Sequence, residues 1–249
     1  MKKKRRGRMP RFWFYKNYKV IYYILMIDIV LITGAPGCGK THVSNAVHKK
    51  MSQGDSHTNF ESTDYARDLL RKVDSNKERP ILHVTSSETY RYVPDSVGDE
   101  DKDICGLKLQ SEIVVMEGIF AKLKDCIKNN QNIVLEGIHL VPSLVRKKLL
   151  PELENCNVLS VVIATKDVEQ HLQQLETQNS KSKETKINNI DTLRKMQNYY
   201  VGDAQKNGTL ILENNMNADE LAVQILEALK LSRKKVIARQ HKKGVEVCQ

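Results

Sequence analysis

Gly34-Ala35-Pro36-Gly37-Cys38-Gly39-Lys40-Thr41 is the stretch that decides the fold of this 249-residue chain. It fills the pattern GxxxxGK followed by Ser or Thr, and its surroundings turn the pattern into a mechanism. Ile29-Val30-Leu31-Ile32 before it is a continuous apolar run, and residues 40–51 after it read as a helix. A run apolar at every position suits a strand buried on both faces of a parallel sheet. The glycines let successive backbone N–H groups point inward, and with the positive helix N-terminus they form a cradle for the β- and γ-phosphates of a nucleotide. In such a loop Lys40 is expected along those phosphates as a point charge, with the Thr41 hydroxyl on Mg²⁺. Cys38 reads as a small filler at a free position of the loop, and His42 as a helix-surface side chain.

Working outward, strands are predicted at residues 58–61, 133–135, 158–164 and 210–212. Helices are predicted at 65–73, 167–176, 190–204 and 218–231. A longer one at 107–128 carries Ile113, Met116, Ile119, Phe120, Leu123 and Ile127 at helical spacing. Residues 74–103 are polar, hold Pro80, Pro94 and Gly98, and read as loop with short helical pieces. Strands alternating with helices predict an α/β fold, a three-layer sandwich around a mainly parallel five-stranded sheet. No internal repeat is visible, and residues 178–186 contain no apolar side chain.

Lys and Arg number 40 against 30 Asp and Glu, a formal net charge of +10, which as a bulk figure suggests a polyanionic partner. Its distribution changes that reading. Residues 1–27 hold nine basic side chains and no acid, residues 230–249 hold seven basic side chains and one acid, and residues 28–229 are left with −5. The centre is mildly acidic, so contact with nucleic acid is expected only through the tails. The expected organisation is a basic N-terminal extension at 1–27, disordered or partly helical, a domain at 28–231 and a basic C-terminal tail at 232–249, with Met26 as an alternative start. The apolar residues 20–27 are too few to span a bilayer, which takes about 20. Five cysteines, odd in number and never spaced CxxC, support neither a disulfide framework nor a zinc site and fit a reducing, cytoplasmic setting, with a nuclear destination as the alternative suggested by residues 2–6.

The acids after the strands narrow the chemistry. Asp64 follows the second strand, on the sheet edge where open α/β folds bind ligands. There it suits accepting the proton of an attacking hydroxyl or holding Mg²⁺; as a helix N-cap it reads equally well. Glu136 after the third strand is the corresponding candidate to order the metal shell. No NKxD base-recognition tetrapeptide appears, and nothing resembles the second conserved regions of helicases or large ATPase machines, which leaves a small-molecule kinase.

Several blocks resemble the 2-phosphoglycerate kinase family, P-loop enzymes of the nucleoside-monophosphate-kinase type, and the related P-loop domain of plant low-phytic-acid proteins. The blocks are ITGAPGCGKT at 32–41, ESTDYARDLLR at 61–71, ILHVTSSETY at 81–90, IVLEGIHLVPSL at 133–144, TLRKMQNYYVGDA at 192–204 and LILEN at 210–214. The resemblance implies ATP and Mg²⁺ as cofactors and 2-phosphoglycerate as acceptor. An anionic acceptor needs cations and hydroxyls, and Arg67, Ser86, Ser87 and His139 supply those types in matching blocks. Such kinases carry arginines in a lid that stabilise the transferring phosphoryl group. Here the lid, residues 171–189, holds Lys181, Lys183 and Lys186 and no arginine, with Arg194 in the following helix as the guanidinium candidate. Two other readings stay open: a polynucleotide 5′-hydroxyl or zeta-toxin-like kinase, and a nucleotide-binding regulatory protein with weakened catalysis. The oligomeric state is not legible in the sequence.

Overall fold

The computed structural model describes residues 26–53, 57–177, 183–215 and 217–246; the expected N-terminal extension, apart from Met26 and Ile27, lies outside them, as does Lys181. Five strands form one sheet: β1 (Asp28–Thr33), β2 (Thr58–Ser62), β3 (Asn132–Glu136), β4 (Asn157–Ala164) and β5 (Leu210–Glu213), in the order β2-β3-β1-β4-β5. Every pairing is parallel, with Ile29 of β1 opposite Ile133 on one side and Val158 on the other. β1 is flanked on both sides, and its Ile29, Val30, Leu31 and Ile32 have no exposed surface.

The side-chain alternation of a strand then sorts the core into two layers. Ile29 and Leu31 pack with Ile133 and Leu135 against one helical layer, whereas Val30 and Ile32 pack with Val134 and Val161 against the other. The first layer contains α2 (Thr63–Val73), α3 (Asp99–Ile113) and α4 (Phe120–Lys128), and the second contains α1 (Lys40–Met51) and α9 (Ala218–Glu246). Each fully buried aliphatic side chain contributes about 1.5–3 kcal/mol of transfer free energy. The α/β three-layer sandwich with a five-stranded sheet is therefore the observed fold.

Four features differ from the sequence expectation. The long helix starts at Asp99, because its acidic first turn carries no apolar period to reveal it, and a π-helical turn at Val114–Ile119 separates α3 from α4. Gly118 lies in that turn, where a Cβ would come 3.1 Å from the Cβ of Ala66. After β3 the chain makes three short helical turns that were not expected: α5 (Pro142–Leu144), a π turn at Val145–Leu149 and a 3₁₀ turn at Leu150–Leu153. Finally, α9 does not stop at residue 231. Arg233 forms a 3.2 Å ion pair with Asp28 and donates to the Met26 carbonyl, so the helix is tied to the first residue of β1. Among the described residues no helix is long and apolar enough to cross a membrane.

The remaining helices are α6 (Val168–Glu176), α7 (Lys183–Asn188) and α8 (Ile190–Asn207). From β1 the chain crosses outward to β2, then returns through β3 and passes over β1 to β4. The carboxyl end of β1 is thus the point at which the strand order reverses, where α/β sheets open a ligand crevice.

Candidate active site

The crevice at that point is a cleft of about 410 Å³. One wall is the loop 34–39 with Lys40, Thr41 and His42; the facing wall is Asp64, Arg67 and residues 85–87; Lys186 closes the third side with Thr185 and Asn189. Gly39 caps α1 in the left-handed region at φ 84°. A Cβ there would sit 2.3 Å from the Asn214 amide nitrogen, which donates to the Cys38 carbonyl at 2.9 Å. His171 braces the same loop, its Nε2 donating to the Pro36 carbonyl at 2.8 Å. Cys38 is fully buried in the second core layer, and burial pushes its thiol pKa up. Ala35 is likewise buried, so these two positions take part through their backbone.

Thr41 and Glu136 meet, the hydroxyl donating to Glu136 Oε2 at 3.3 Å. Glu136 is 5% exposed and makes no ion pair among the described residues. A buried carboxylate beside the hydroxyl that ends the loop is a set of hard oxygen donors. It suits Mg²⁺, which takes one or two protein oxygens and completes its shell from phosphates and water.

Asp64 is not the helix cap. Ser62 is, its hydroxyl accepting from the Asp64 N–H at 3.3 Å, which leaves the Asp64 carboxylate to the cleft with 53% of its side chain exposed. Partial burial acts to raise its pKa, but His139, which gains its charge only in the acid range where Asp64 itself titrates, together with Lys40, Arg67 and Lys186 outweighs that and holds it below the ordinary value. Arg67, one turn along α2, approaches the Asp64 and Asp68 carboxylates only to 3.9 and 3.8 Å, beyond hydrogen-bond length. Its side chain is 13% exposed, and among the described residues its Nε is buried without a hydrogen-bond partner. Lys186 faces the same space; burial and the charge of Lys40 lower its pKa, and Asp64 acts in the opposite direction.

Three expected site residues are placed differently. Arg194 donates to the carbonyls of Thr165, Asp167 and Lys166 at 3.0, 3.2 and 3.3 Å, so its guanidinium is committed to the loop after β4 and not to the cleft. Ser86 is 7% exposed and its hydroxyl donates to Gln110 Oε1, leaving Ser87 and Thr85 as the hydroxyls on the cleft. His139 is fully buried behind the cleft, bound to the Thr63 hydroxyl at 2.9 Å and to Gln110 Oε1 at 3.0 Å. Lys183, from the expected lid, donates to the Glu176 carbonyl.

Burial pushes the His139 pKa down to about 4, against the opposing pull of Asp64. The folded protein therefore holds a neutral imidazole that the unfolded chain protonates below about pH 6.5, and stability falls as pH drops from about 6.5 to about 4. Between pH 7 and pH 5 this one group removes about 2 kcal/mol. His171, lowered by burial, acts in the same direction. Denaturant melts at the two pH values check the effect: His139→Asn, which keeps an acceptor toward Thr63, is expected to shrink the difference by about that amount.

Sequence reasoning missed Asn214, His171 and Gln110. Asn214 ends the LILEN block at the carboxyl end of β5, a positional signal equivalent to that of Asp64 and Glu136. His171 opens the expected lid, and Gln110 carries no local signal, because its partners lie 24–29 residues away.

A family model described as an AAA domain matches residues 30–197, more than half of the chain. Among curated proteins, the chain is 29% identical over 206 residues to a 2-phosphoglycerate kinase of Methanopyrus kandleri, covering 80% of this chain and 59% of that protein. To the 2-phosphoglycerate kinase of Methanocaldococcus jannaschii it is 27% identical over 189 residues, covering 75% and 58%. To that of Thermococcus kodakarensis it is 26% identical over 186 residues, covering 74% and 60%. The resemblance carried by the motif blocks thus extends along most of the chain, which spans about 60% of the length of these relatives. Since the family match takes in every residue that lines the cleft, the chain belongs to the AAA domain family.

Proposed function

We propose that this protein is an ATP- and Mg²⁺-dependent phosphotransferase that passes the γ-phosphoryl group to a small phosphorylated acid, 2-phosphoglycerate, giving 2,3-bisphosphoglycerate. The observation that carries the reading is the pairing, across one cleft, of Lys40 and Thr41 with Asp64 and a nearly buried Arg67 whose Nε lacks a hydrogen-bond partner among the described residues. A buried guanidinium nitrogen without a hydrogen bond is costly unless a ligand completes it, and the planar fork of the group fits a carboxylate or phosphate. The names of the relatives supply the particular acceptor.

In this reading the loop 34–39 wraps the nucleotide phosphates, and Lys40 neutralises the charge on the transferring group. Thr41 and Glu136 would hold the Mg²⁺, which would supply positive charge to offset that of the phosphates. Asp64 accepts a hydrogen bond from the acceptor hydroxyl, aims its oxygen at the γ-phosphorus and receives its proton as the new P–O bond forms, while the bond from the γ-phosphorus to the β–γ bridging oxygen breaks and ADP leaves. Arg67 grips the anionic end of the acceptor, and Lys186 supplies the lid charge.

A screen with labelled ATP and Mg²⁺ tests this against phosphoglycerates, inositol phosphates, nucleoside monophosphates and 5′-hydroxyl oligonucleotides. Label is expected on 2-phosphoglycerate; transfer to no phosphorylated acid sinks the proposal. One observation favours a second reading. The commitment of Arg194 to backbone carbonyls leaves lysine alone at the lid, without a bidentate fork, as in a nucleotide-binding protein with weakened catalysis. ATP binding without turnover selects that alternative.

A further inference from the structure

Gln110, on α3, uses all of its hydrogen-bonding capacity in a fully buried position. Its amide nitrogen donates to the carbonyls of Ile81 at 2.7 Å and Val84 at 3.2 Å. Its oxygen accepts from Ser86 Oγ at 2.9 Å and from His139 Nε2 at 3.0 Å. The two carbonyls fix the amide orientation, since a flipped amide would set oxygen against oxygen. With Oε1 on His139, the imidazole must donate through Nε2, so Nδ1 carries the lone pair and accepts from the Thr63 hydroxyl. Thr63 is fully buried and directly precedes Asp64. The contact is tight: a Cβ on Gly137, at φ 141°, would lie 1.9 Å from Thr63 Oγ1. One turn before Gln110, a Cβ on Gly106 would lie 2.5 Å from the Thr89 carbonyl carbon, so the same helix also touches the far end of the 81–89 segment.

We infer that Gln110 is a positioning residue that couples the segment presenting Thr85 and Ser87 to the cleft with the Asp64 carboxylate, through His139 and Thr63. The inference rests on the phosphotransferase reading. A leucine would fill the same volume but leave two carbonyls, a hydroxyl and an imidazole unpaired, and the two halves of the acceptor site would lose their common reference. The loop 34–39 takes no part in the relay, so nucleotide binding is separable from it.

The test compares wild type, Gln110→Met, Thr63→Val and the double variant in MgATP Kd, KM for 2-phosphoglycerate, kcat and amide hydrogen exchange. Gln110→Met is expected to raise acceptor KM about 10-fold and lower kcat about 10-fold while leaving the MgATP Kd within about 2-fold. Thr63→Val, at the far end of the relay, is expected to lower kcat and spare KM, and the double variant to lose no more kcat than Gln110→Met alone. Exchange in Gln110→Met is expected to quicken both at 81–89 and at 63–66.

A folded Gln110→Met with unchanged KM and kcat overturns the inference, as does equal weakening of MgATP and acceptor, or losses in kcat that simply multiply. Wild-type protein that phosphorylates no acid defeats the functional reading instead. The exchange data then decide the coupling by themselves, and quickening confined to 81–89 refutes it. If Gln110→Met does not fold, Gln110→Glu, which keeps an acceptor toward His139 and loses the donors to Ile81 and Val84, takes its place with the same expectations.

Discussion

Lys40→Ala is expected to reduce phosphoryl transfer by about 10³-fold or more and to weaken ATP binding, with melting behaviour close to wild type. The contrast is the informative part. Lys40 stands at the first position of α1, where Ala is a better helix former, and its ammonium makes no ion pair among the described residues. Removing it therefore takes charge from the cleft without taking a contact from the fold, and surface changes of that kind stay within about 0.5 kcal/mol. Titration of the variant with labelled ATP, beside a thermal melt, checks both halves. Full turnover in Lys40→Ala would show that the loop 34–39 is not where the reacting phosphates lie.

Asp64→Asn is expected to lower kcat by about 10³-fold with a smaller effect on the KM for ATP. The substitution keeps shape and leaves the Ser62 cap intact, because that bond uses the backbone N–H of residue 64. It deletes the one carboxylate that opens on the cleft from α2. Since the surrounding cations hold Asp64 below its ordinary pKa of 3.8, the wild-type carboxylate is ionised throughout the neutral range. Under the proposed function its role is to orient the acceptor hydroxyl and take its proton as bonding to phosphorus advances, not to pre-ionise it. The rate is accordingly expected to show no acid limb from this group above about pH 5. Steady-state kinetics of both proteins from pH 5 to 9 test the assignment; a variant within a few-fold of wild type would remove Asp64 from the mechanism.

Much of this site was legible because its chemistry is local. The apolar run 29–32, the glycines after it and Lys40-Thr41 are contiguous, and parallel strands deliver Asp64 and Glu136 to the same edge by topology alone. What failed to be legible depends on tertiary partners. His139 sits in a conspicuous block, yet the fold turns it inward to Thr63 and Gln110. Arg194 had the right chemistry and the right helix, but the carbonyls of residues 165–167 claim its guanidinium. The π turn at Val114–Ile119 contains Gly118, where a Cβ would come 3.1 Å from that of Ala66, a tertiary approach that the apolar spacing of residues 107–128 does not encode. The extension of α9 beyond residue 231 was hidden by the basic composition there, which reads as solvated until Arg233 is seen on Asp28.

The bracing of the loop 34–39 by Asn214 and His171 shares no residue with the contacts that hold the acceptor half of the cleft. The nucleotide half is anchored through the end of β5 and through α6 and is set before any ligand arrives, so little ordering entropy remains to be lost there. The opposite half is a short excursion of chain at 81–89, held by the buried Gln110 amide, by Leu82 in the core and by the His83–Asp74 contact at 3.0 Å. Under the proposed reading, such a protein behaves as a fixed phosphate donor fitted with an exchangeable jaw: a lineage can alter which acid it accepts through residues 81–89 and leave its grip on the nucleotide untouched.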